Sequence, residues 1–301
     1  METLNSAFGG LIKKALVQFK TAPLITGNNV YQKADTRILP FVEEIVQTLI
    51  LPESGIGGMD RLREILDRAR EGKSCLLLLE HYSNLDLPCF RYLLTQEVDR
   101  GQELADALVA IAGIKLSEEN PGVAALTSAY TRIVIYPSRS LKSLHGTDLD
   151  KKRLELLRAI AINRAAMKAL NEVKRQGKLI LVFPSGTRYR LWEPNSKRGV
   201  REIDSYIKSF DYMCMVAVNG ECLHVREGDM TDDSVSRDIV RFSAGPVIPC
   251  AAFRATALAG AGEDEDRKQR TADAIMAQLE ELHLAAESGR QELLQKMQLC
   301  A

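Results

Sequence analysis

Short apolar runs alternate with longer segments of helical spacing along most of the chain after Gly72. Continuous apolar runs predict buried β-strands, and apolar residues that recur at three and four positions predict helices between them. The predicted strands are Cys75–Leu79, Leu108–Ala112, Arg132–Tyr136, Leu179–Phe183 and Met213–Val218. Because such alternation is typical of α/β folds, we predict a mixed, largely parallel sheet flanked by helices.

The chain from Asn5 to about Arg70 has helical spacing throughout. We therefore predict a helical N-terminal region over residues 1–70 and an α/β domain over residues 71–301. The apolar stripe of the first helix, which includes Phe8 and Ile12, fits either a helix packed on the core or an amphipathic helix on a membrane surface. The spacing leaves both open. After Glu263 the pattern predicts one or two helices that coat the core.

Composition narrows the classes of function. The 40 basic and 40 acidic residues cancel, so any anion site must be local, and no global field favours nucleic acid. Apolar runs are far shorter than the roughly 20 residues that cross a bilayer, and the N-terminus lacks a secretory signal pattern. Cysteines and histidines are scattered without metal-ligand spacing. We expect a cytoplasmic protein, either free or at the inner face of the membrane, without metal or nucleic-acid partner.

A histidine and a carboxylate follow the first predicted strand of the α/β domain. His81 and Asp86 come just after Cys75–Leu79, at the strand end where ligands gather in α/β sheets. If the chain turns into a helix there, the aspartate can accept a hydrogen bond from one imidazole nitrogen. The other nitrogen is then free to take a proton from an alcohol, while the carboxylate fixes the tautomer and stabilises the imidazolium. Alone, this spacing is weak evidence, because it often occurs by chance.

Basic residues follow two other predicted strands. After the fourth strand, Pro184 and Gly186 favour a turn, and Arg188 and Arg190 follow at alternate positions. A turn with free backbone amides and two guanidinium groups suits a phosphate or another dianion. Arg139 follows the third strand and should lie at the same sheet edge. Alone, the loop fits exposed, solvated arginines equally well, but together with the histidine and aspartate it indicates an acid–base centre beside an anion pocket.

The segments HYSNLD at residues 81–86 and FPSGTRYR at residues 183–190 resemble the hallmark motifs of the glycerophospholipid acyltransferase family. That family has H-x-x-x-x-D followed, at a similar distance, by a loop such as F-P-E-G-T-R-S. The match covers roughly residues 75–220. Ser185 stands where the loop usually has glutamate, which makes the chain more similar to the soluble plastid-type glycerol-3-phosphate acyltransferases, whose loop reads P-S-G-G-R-x-R.

The plastid-type resemblance is looser elsewhere. Arg139 would replace a phosphate-binding lysine of that group, and Ser140 stands where the group has histidine. The strand end Ala112-Gly113 matches another of its motifs. The fourth family motif, an apolar strand carrying proline, fits Met213–Asn219 by order and Val247–Pro249 by letters, and both stay open.

The resemblance implies roles for individual residues. His81 would act as the base on the acceptor hydroxyl, and Asp86 would support it. The implied substrate-binding residues are Arg139, Ser185, Gly186, Thr187, Arg188 and Arg190. The implied reaction moves a fatty acyl group to glycerol 3-phosphate or, alternatively, to its monoacyl derivative lysophosphatidate. The thioester donor would be acyl-CoA or acyl carrier protein, with no separate cofactor, and peripheral membrane contact is compatible with these substrates.

Three rival functions are weaker. A serine hydrolase would need a G-x-S-x-G elbow, which the chain lacks. A nucleotide-binding loop would need an earlier glycine before Gly72-Lys73-Ser74 and a helix after it, whereas a strand follows. A family member that has lost activity and serves as a lipid-binding scaffold is disfavoured because the histidine, the aspartate and both loop arginines are all present.

Overall fold

The computed structural model describes residues 2–19, 24–142 and 149–299, and these residues form an eight-stranded sheet with helices on both faces. The strands are β1 (Tyr31–Gln32), β2 (Gly55–Gly57), β3 (Cys75–Leu79), β4 (Leu108–Gly113), β5 (Arg132–Ile135), β6 (Leu179–Val182), β7 (Tyr212–Asn219), β8 (Leu223–His224), β9 (Ser234–Val235) and β10 (Arg241–Pro249). The helices are α1 (Leu4–Gln18), α2 (Leu39–Leu49), α3 (Met59–Arg70), α4 (Asp86–Gln96), α5 (Gly101–Ala107), α6 (Lys115–Glu118), α7 (Pro121–Thr127), α8 (Ser138–Lys142), α9 (Leu149–Val173), α10 (Ile203–Ser209), α11 (Cys250–Leu258) and α12 (Arg267–Leu299), with a 3₁₀ turn at Pro194–Lys197.

The sheet has the strand order β1-β5-β4-β6-β3-β7-β10-β2. Its five central strands, β5, β4, β6, β3 and β7, are parallel. β1 pairs antiparallel with β5, and β10 pairs antiparallel with β7. The central strands are the five that the sequence predicts, so the prediction of a mixed, largely parallel sheet is confirmed. β8 and β9 form a separate two-stranded sheet.

Strand β3 shows why the central strands have continuous apolar sequences. All five of its residues are buried, because helices cover both faces of the sheet. Leu77 and Leu79 pack in the cluster that contains residues of α1 to α5. Leu76 and Leu78 pack in the opposite cluster, with residues of α9, α10 and α12. The core therefore has one half on each face of a shared sheet.

Residues 2–70 supply helices α1 to α3 and the short strands β1 and β2 at the two sheet edges. Phe8 and Ile12 of α1 are buried in the same cluster as β3. The sequence leaves two alternatives for the first helix, packing on the core or lying on a membrane surface. In the structure this helix packs on the core. The helical character of the region is confirmed, with two strands added. The division at residue 70, the last residue of α3, stays a prediction.

The carboxyl ends of the parallel strands meet along one side of the sheet, which we call the carboxyl edge. The chain reaches His81 just after β3 and Phe183 just after β6. Helix α9 crosses back from this edge toward β6. The side chain of Asn163 bonds the backbone N–H and carbonyl of Tyr136, the residue after β5, at 2.8 and 2.9 Å. The middle of α9 is thereby level with the carboxyl edge.

The predicted C-terminal helices are a single helix, α12, of 33 residues. It packs on β7 and β10 and on helices α10 and α11. Coverage of the core by the tail is thus confirmed, with one long helix rather than two. Within the described residues, no helix combines the length and apolar character that a bilayer-spanning segment needs.

Strand β10 lies outside the set that the sequence predicts. Its register against β7 shifts between Ala244 and Val247, around Gly245 and Pro246. Proline cannot donate to a sheet ladder and is confined to edges and bulges, so this segment does not have a regular strand pattern. The two candidates for the fourth family motif turn out to be neighbours in space, because β7 carries one and β10 the other.

Candidate active site

His81 and Asp86 form a hydrogen-bonded pair at the carboxyl edge. Nδ1 of the imidazole lies 2.9 Å from Oδ2 of the carboxylate. Both side chains are largely shielded from water, with 13% and 5% of their surfaces exposed. Because this bond occupies Nδ1, Nε2 is the ring nitrogen that can take a proton from a bound hydroxyl. The structure brings the two residues together as the sequence predicts.

The Asp86 carboxylate also holds the turn between β3 and α4. Oδ2 accepts hydrogen bonds from the backbone N–H groups of Tyr82 and Ser83 at 2.7 and 2.9 Å. Oδ1 accepts one from the Ser83 hydroxyl at 3.0 Å. Asp86 is the first residue of α4, where the helix dipole also favours negative charge. A buried carboxylate needs such partners, and here they fix the atom that orients the imidazole.

The loop after β6 packs directly on His81. The ring of Phe183 stacks on the imidazole with centroids 3.9 Å apart. The backbone N–H of Tyr189 donates to the carbonyl of His81 at 2.9 Å. Gly186 has a φ of +65°, a left-handed conformation that favours glycine. Ser185 is buried, and its hydroxyl donates to a backbone carbonyl of the loop at 2.7 Å. The two sequence motifs are therefore in contact.

A small cleft lies beside the pair. Its lining residues come from the end of β3, the loop after β6, the 3₁₀ turn and α12, and are Glu80, His81, Tyr82, Pro184, Ser185, Tyr189, Lys197 and Met276. Lys197, which the sequence motifs do not include, brings a positive charge to this lining. Its Nζ lies 2.6 Å from Oε2 of Glu280 on α12. Both partners are about two-fifths exposed, so a bound anion could exchange with this carboxylate.

Arg188 forms an ion pair with Asp233, whose side chain is fully buried. Asp233 also accepts a hydrogen bond from the backbone N–H of Arg226 at 2.9 Å. Burial raises the pKa of Asp233 above its ordinary value, and the charge of Arg188 opposes that shift. The guanidinium of Arg188 thus neutralises a buried carboxylate, and it lies outside the lining of the cleft.

The other two predicted arginines also lie outside the lining. Nη1 of Arg190 is 2.7 Å from Oε2 of Glu193, and Nη2 is 3.4 Å from the Thr187 hydroxyl. Arg139 is exposed on α8, which begins at Ser138, shortly after β5 ends at Ile135. Of the predicted site residues, the structure therefore places His81 and Ser185 at the cleft, with Asp86 behind the histidine. The phosphate-binding role of the three arginines stays a prediction.

A second buried carboxylate lies next to the pair. Oε2 of Glu80 accepts hydrogen bonds from Nδ1 of His283 at 3.0 Å and from the backbone N–H of Val218 at 2.8 Å. Oε1 lies 3.2 Å from the Tyr82 hydroxyl. The bond to Glu80 raises the pKa of His283, and burial raises that of Tyr82. Sequence analysis missed this cluster, since 203 positions separate its histidine from its glutamate.

The geometry at the carboxyl edge of this α/β fold is a carboxylate-supported histidine beside a cleft. The chain belongs to the acyltransferase family, because the family model described as Acyltransferase matches residues 61–251. The match spans both sequence motifs and agrees with their resemblance to glycerophospholipid acyltransferases. Acyl transfer is the general reaction of the family. No curated protein matches the chain.

The ion pair of Arg188 with Asp233 leads to a prediction about stability. Replacing Arg188 with alanine leaves a buried carboxylate without its counter-charge, so the free energy of unfolding should fall by about 3–5 kcal/mol. The double variant Arg188→Met/Asp233→Asn should recover most of the loss. Urea denaturation of the three proteins measures both effects. If Arg188→Ala leaves stability within about 0.5 kcal/mol of the parent, the arginine is free to serve a ligand instead.

The pairing of Glu80 with His283 predicts a pH-dependent contribution to stability. Because the pKa of His283 is raised in the folded state, the contribution is fully present below the unfolded value of about 6.5. It is lost as pH rises through the folded pKa. The difference in unfolding free energy between the parent and His283→Gln should therefore be larger at pH 6 than at pH 9. In a Glu80→Gln background the same substitution should show little pH dependence, and a constant difference in both backgrounds would contradict the pairing.

Proposed function

We propose that this protein transfers a fatty acyl group from a thioester to a hydroxyl of a glycerophosphate, with His81 as the general base. The observation that supports the proposal most is the hydrogen bond of Asp86 to Nδ1, because it leaves Nε2 as the basic nitrogen beside the cleft. We favour glycerol 3-phosphate as the acceptor, because the P-S-G-T-R-x-R loop resembles that of the plastid-type glycerol-3-phosphate acyltransferases. Lysophosphatidate is the alternative acceptor.

The proposed step is a direct transfer. Nε2 of His81 takes the proton of the acceptor hydroxyl as its oxygen attacks the thioester carbonyl, which gives a tetrahedral intermediate. Collapse of this intermediate breaks the carbon–sulfur bond, and the thiolate takes the proton back from the imidazolium. The products are an ester and a free thiol. The buried carboxylate of Asp86 stabilises the imidazolium between the two proton transfers. The positioned base contributes on the order of 10² to 10⁴ in rate.

The acceptor needs a counter-charge for its phosphate. We propose Lys197 for this role, because it is the cationic side chain of the cleft lining beside His81. Its partner Glu280 is partly exposed, so the phosphate can replace that carboxylate without leaving a buried charge alone. Arg190 and Arg139, which are accessible to solvent, remain predicted phosphate ligands. Arg188 is the weakest of the set, since a phosphate would have to compete with Asp233.

The remaining substrates and the location are part of the same proposal. The donor is acyl-CoA or acyl carrier protein, and the reaction uses no cofactor beyond it, since the step consists of proton transfers and acyl substitution. The product and one of the two acceptors are lipids, which supports action in the cytoplasm at the inner face of a membrane. An inactive lipid-binding family member is the rival proposal, and it would bind acceptor without turnover.

Replacing His81 with alanine should reduce acyl transfer by at least about a hundredfold. The variant should lose the stacking contact with Phe183 but stay folded, because Asp86 keeps its three other hydrogen bonds. Release of free thiol with glycerol 3-phosphate and lysophosphatidate, each tested against acyl-CoA and acyl carrier protein, measures transfer and identifies the substrates. His224→Ala is the matched control, since that histidine bonds Ser236 outside the site. Equal turnover by His81→Ala and His224→Ala would contradict the assignment of His81 as the general base.

Replacing Lys197 with methionine should raise the KM for the acceptor by about ten- to a hundredfold, the cost of one charge-assisted hydrogen bond. The KM for the donor should change much less, and Lys197→Arg should retain part of the acceptor affinity. Lys208→Met removes an exposed lysine on α10 and should leave both constants unchanged. Steady-state kinetics with each substrate varied in turn tests the assignment. Equal effects of Lys197→Met on both constants, or none, would remove this lysine from the phosphate site.

A further inference from the structure

Helix α9 carries an exposed line of large apolar residues. Leu149, Leu156, Ile160 and Met167 are between 47% and 82% exposed. Because successive residues of an α-helix are rotated by about 100°, these four lie within about 20° of one line along the helix. Leu154 and Leu157 are exposed on the same helix. Of the twelve exposed large hydrophobic residues in the described chain, six are on α9, so the exposure is concentrated rather than scattered.

The charges beside this line have one sign. Lys152, Arg153 and Arg164 are exposed and lie within about 60° of the apolar line by the same helical geometry. The acidic residues of α9 lie farther round the helix: Asp150, Glu155 and Glu172 are at least about 100° from it. The core-packed residues of α9, such as Ala166 and Leu170, lie about 60–140° from the line on one side of the helix. An apolar stripe flanked by cations on the exposed part of such a helix is the pattern of a helix that lies in a lipid interface.

The first half of helix α9 extends past the carboxyl edge of the sheet. Asn163 is level with the end of β5 through its two bonds to Tyr136, and α9 then continues toward the start of β6. The preceding residues, 149–162, therefore continue past the carboxyl edge, by up to about 20 Å at 1.5 Å per residue. Ala159 and Ile162, at the base of this projecting part, are still buried in the core. Most of the exposed apolar line belongs to this projecting part. His81 lies at the same edge of the sheet.

We infer that α9 docks the protein on the surface of an anionic lipid bilayer. The helix would lie along the headgroups, with the apolar line among the upper acyl segments and the cations at the lipid phosphates. Helix α1, the amphipathic alternative, has its apolar face buried in the core. Docking through α9 brings the carboxyl edge next to the membrane, where an acyl acceptor or a lipid product can move between the cleft and the bilayer over a short distance.

Vesicle co-sedimentation tests the inference without any need for turnover, so its result is independent of the proposed reaction. The probes are vesicles of phosphatidylcholine alone and vesicles with about a third phosphatidylglycerol. The parent protein should bind the anionic vesicles and release at high salt, because screening weakens the attraction. Leu156→Ser/Ile160→Ser should weaken binding at least about tenfold. Arg153→Gln/Arg164→Gln should weaken it by about thirtyfold at low salt, near fivefold per charge.

Two matched variants control for hydrophobicity and net charge. Val17→Ser/Val98→Ser removes two exposed apolar residues, one on α1 and one in the turn before α5. Arg175→Gln/Lys208→Gln removes two exposed cations away from the carboxyl edge. Both should bind like the parent. Absence of vesicle binding by the parent, or equal losses in control and α9 variants, would overturn the inference. So would unchanged vesicle binding by the α9 variants with a raised KM for acyl carrier protein, because the surface would then bind that acidic partner.

Discussion

One buried carboxylate organises the carboxyl edge of this fold. Asp86 accepts hydrogen bonds from two backbone N–H groups and a hydroxyl in the turn after β3. The same carboxylate forms a hydrogen bond with the imidazole of His81. The direction of the imidazole is therefore tied to the same atoms that allow the chain to leave the sheet and enter α4. The loop after β6 then packs against a ring that is already oriented, through Phe183 and the backbone of Tyr189. Removing the carboxylate would disturb the turn, the imidazole and the loop together.

The sequence predicts the parts of the fold in which local pattern and burial agree. The five central strands are covered on both faces and have apolar runs such as Cys75–Leu79, so their positions are predicted closely. The strands at the margins have no such pattern. β1 and β2 are only two and three residues long, and β10 is interrupted by a bulge at Gly245 and Pro246. These strands form because neighbouring strands offer free hydrogen-bonding groups, which is a tertiary effect.

In the candidate site, too, the sequence predicts local contacts but not contacts between distant residues. The link between His81 and Asp86 is local, because a strand end, a tight turn and a helix start bring positions five apart into contact. The charges around them are set by distant parts of the chain. Asp233 forms an ion pair with Arg188, Glu280 forms one with Lys197, and His283 forms a hydrogen bond with Glu80. No local spacing contains these pairs, so a motif identifies a cation without showing whether it is available to a ligand.

Helix α12 gives the cleft an unusual mechanical property. Met276, Glu280 and His283 stand on one helical face at steps of four and three residues, and they touch the cleft lining, Lys197 and Glu80 respectively. A shift or rotation of α12 would therefore change the width of the cleft. The same movement would alter the ion pair of Glu280 with Lys197 and the hydrogen bond of His283 with Glu80. The N-terminal end of this helix packs on α10 and α11, where Arg270 bonds the carbonyl of Ala257 at 2.8 Å. Substitutions at that contact, outside the cleft, can therefore change the shape and the charge of the cleft together as related sequences diverge.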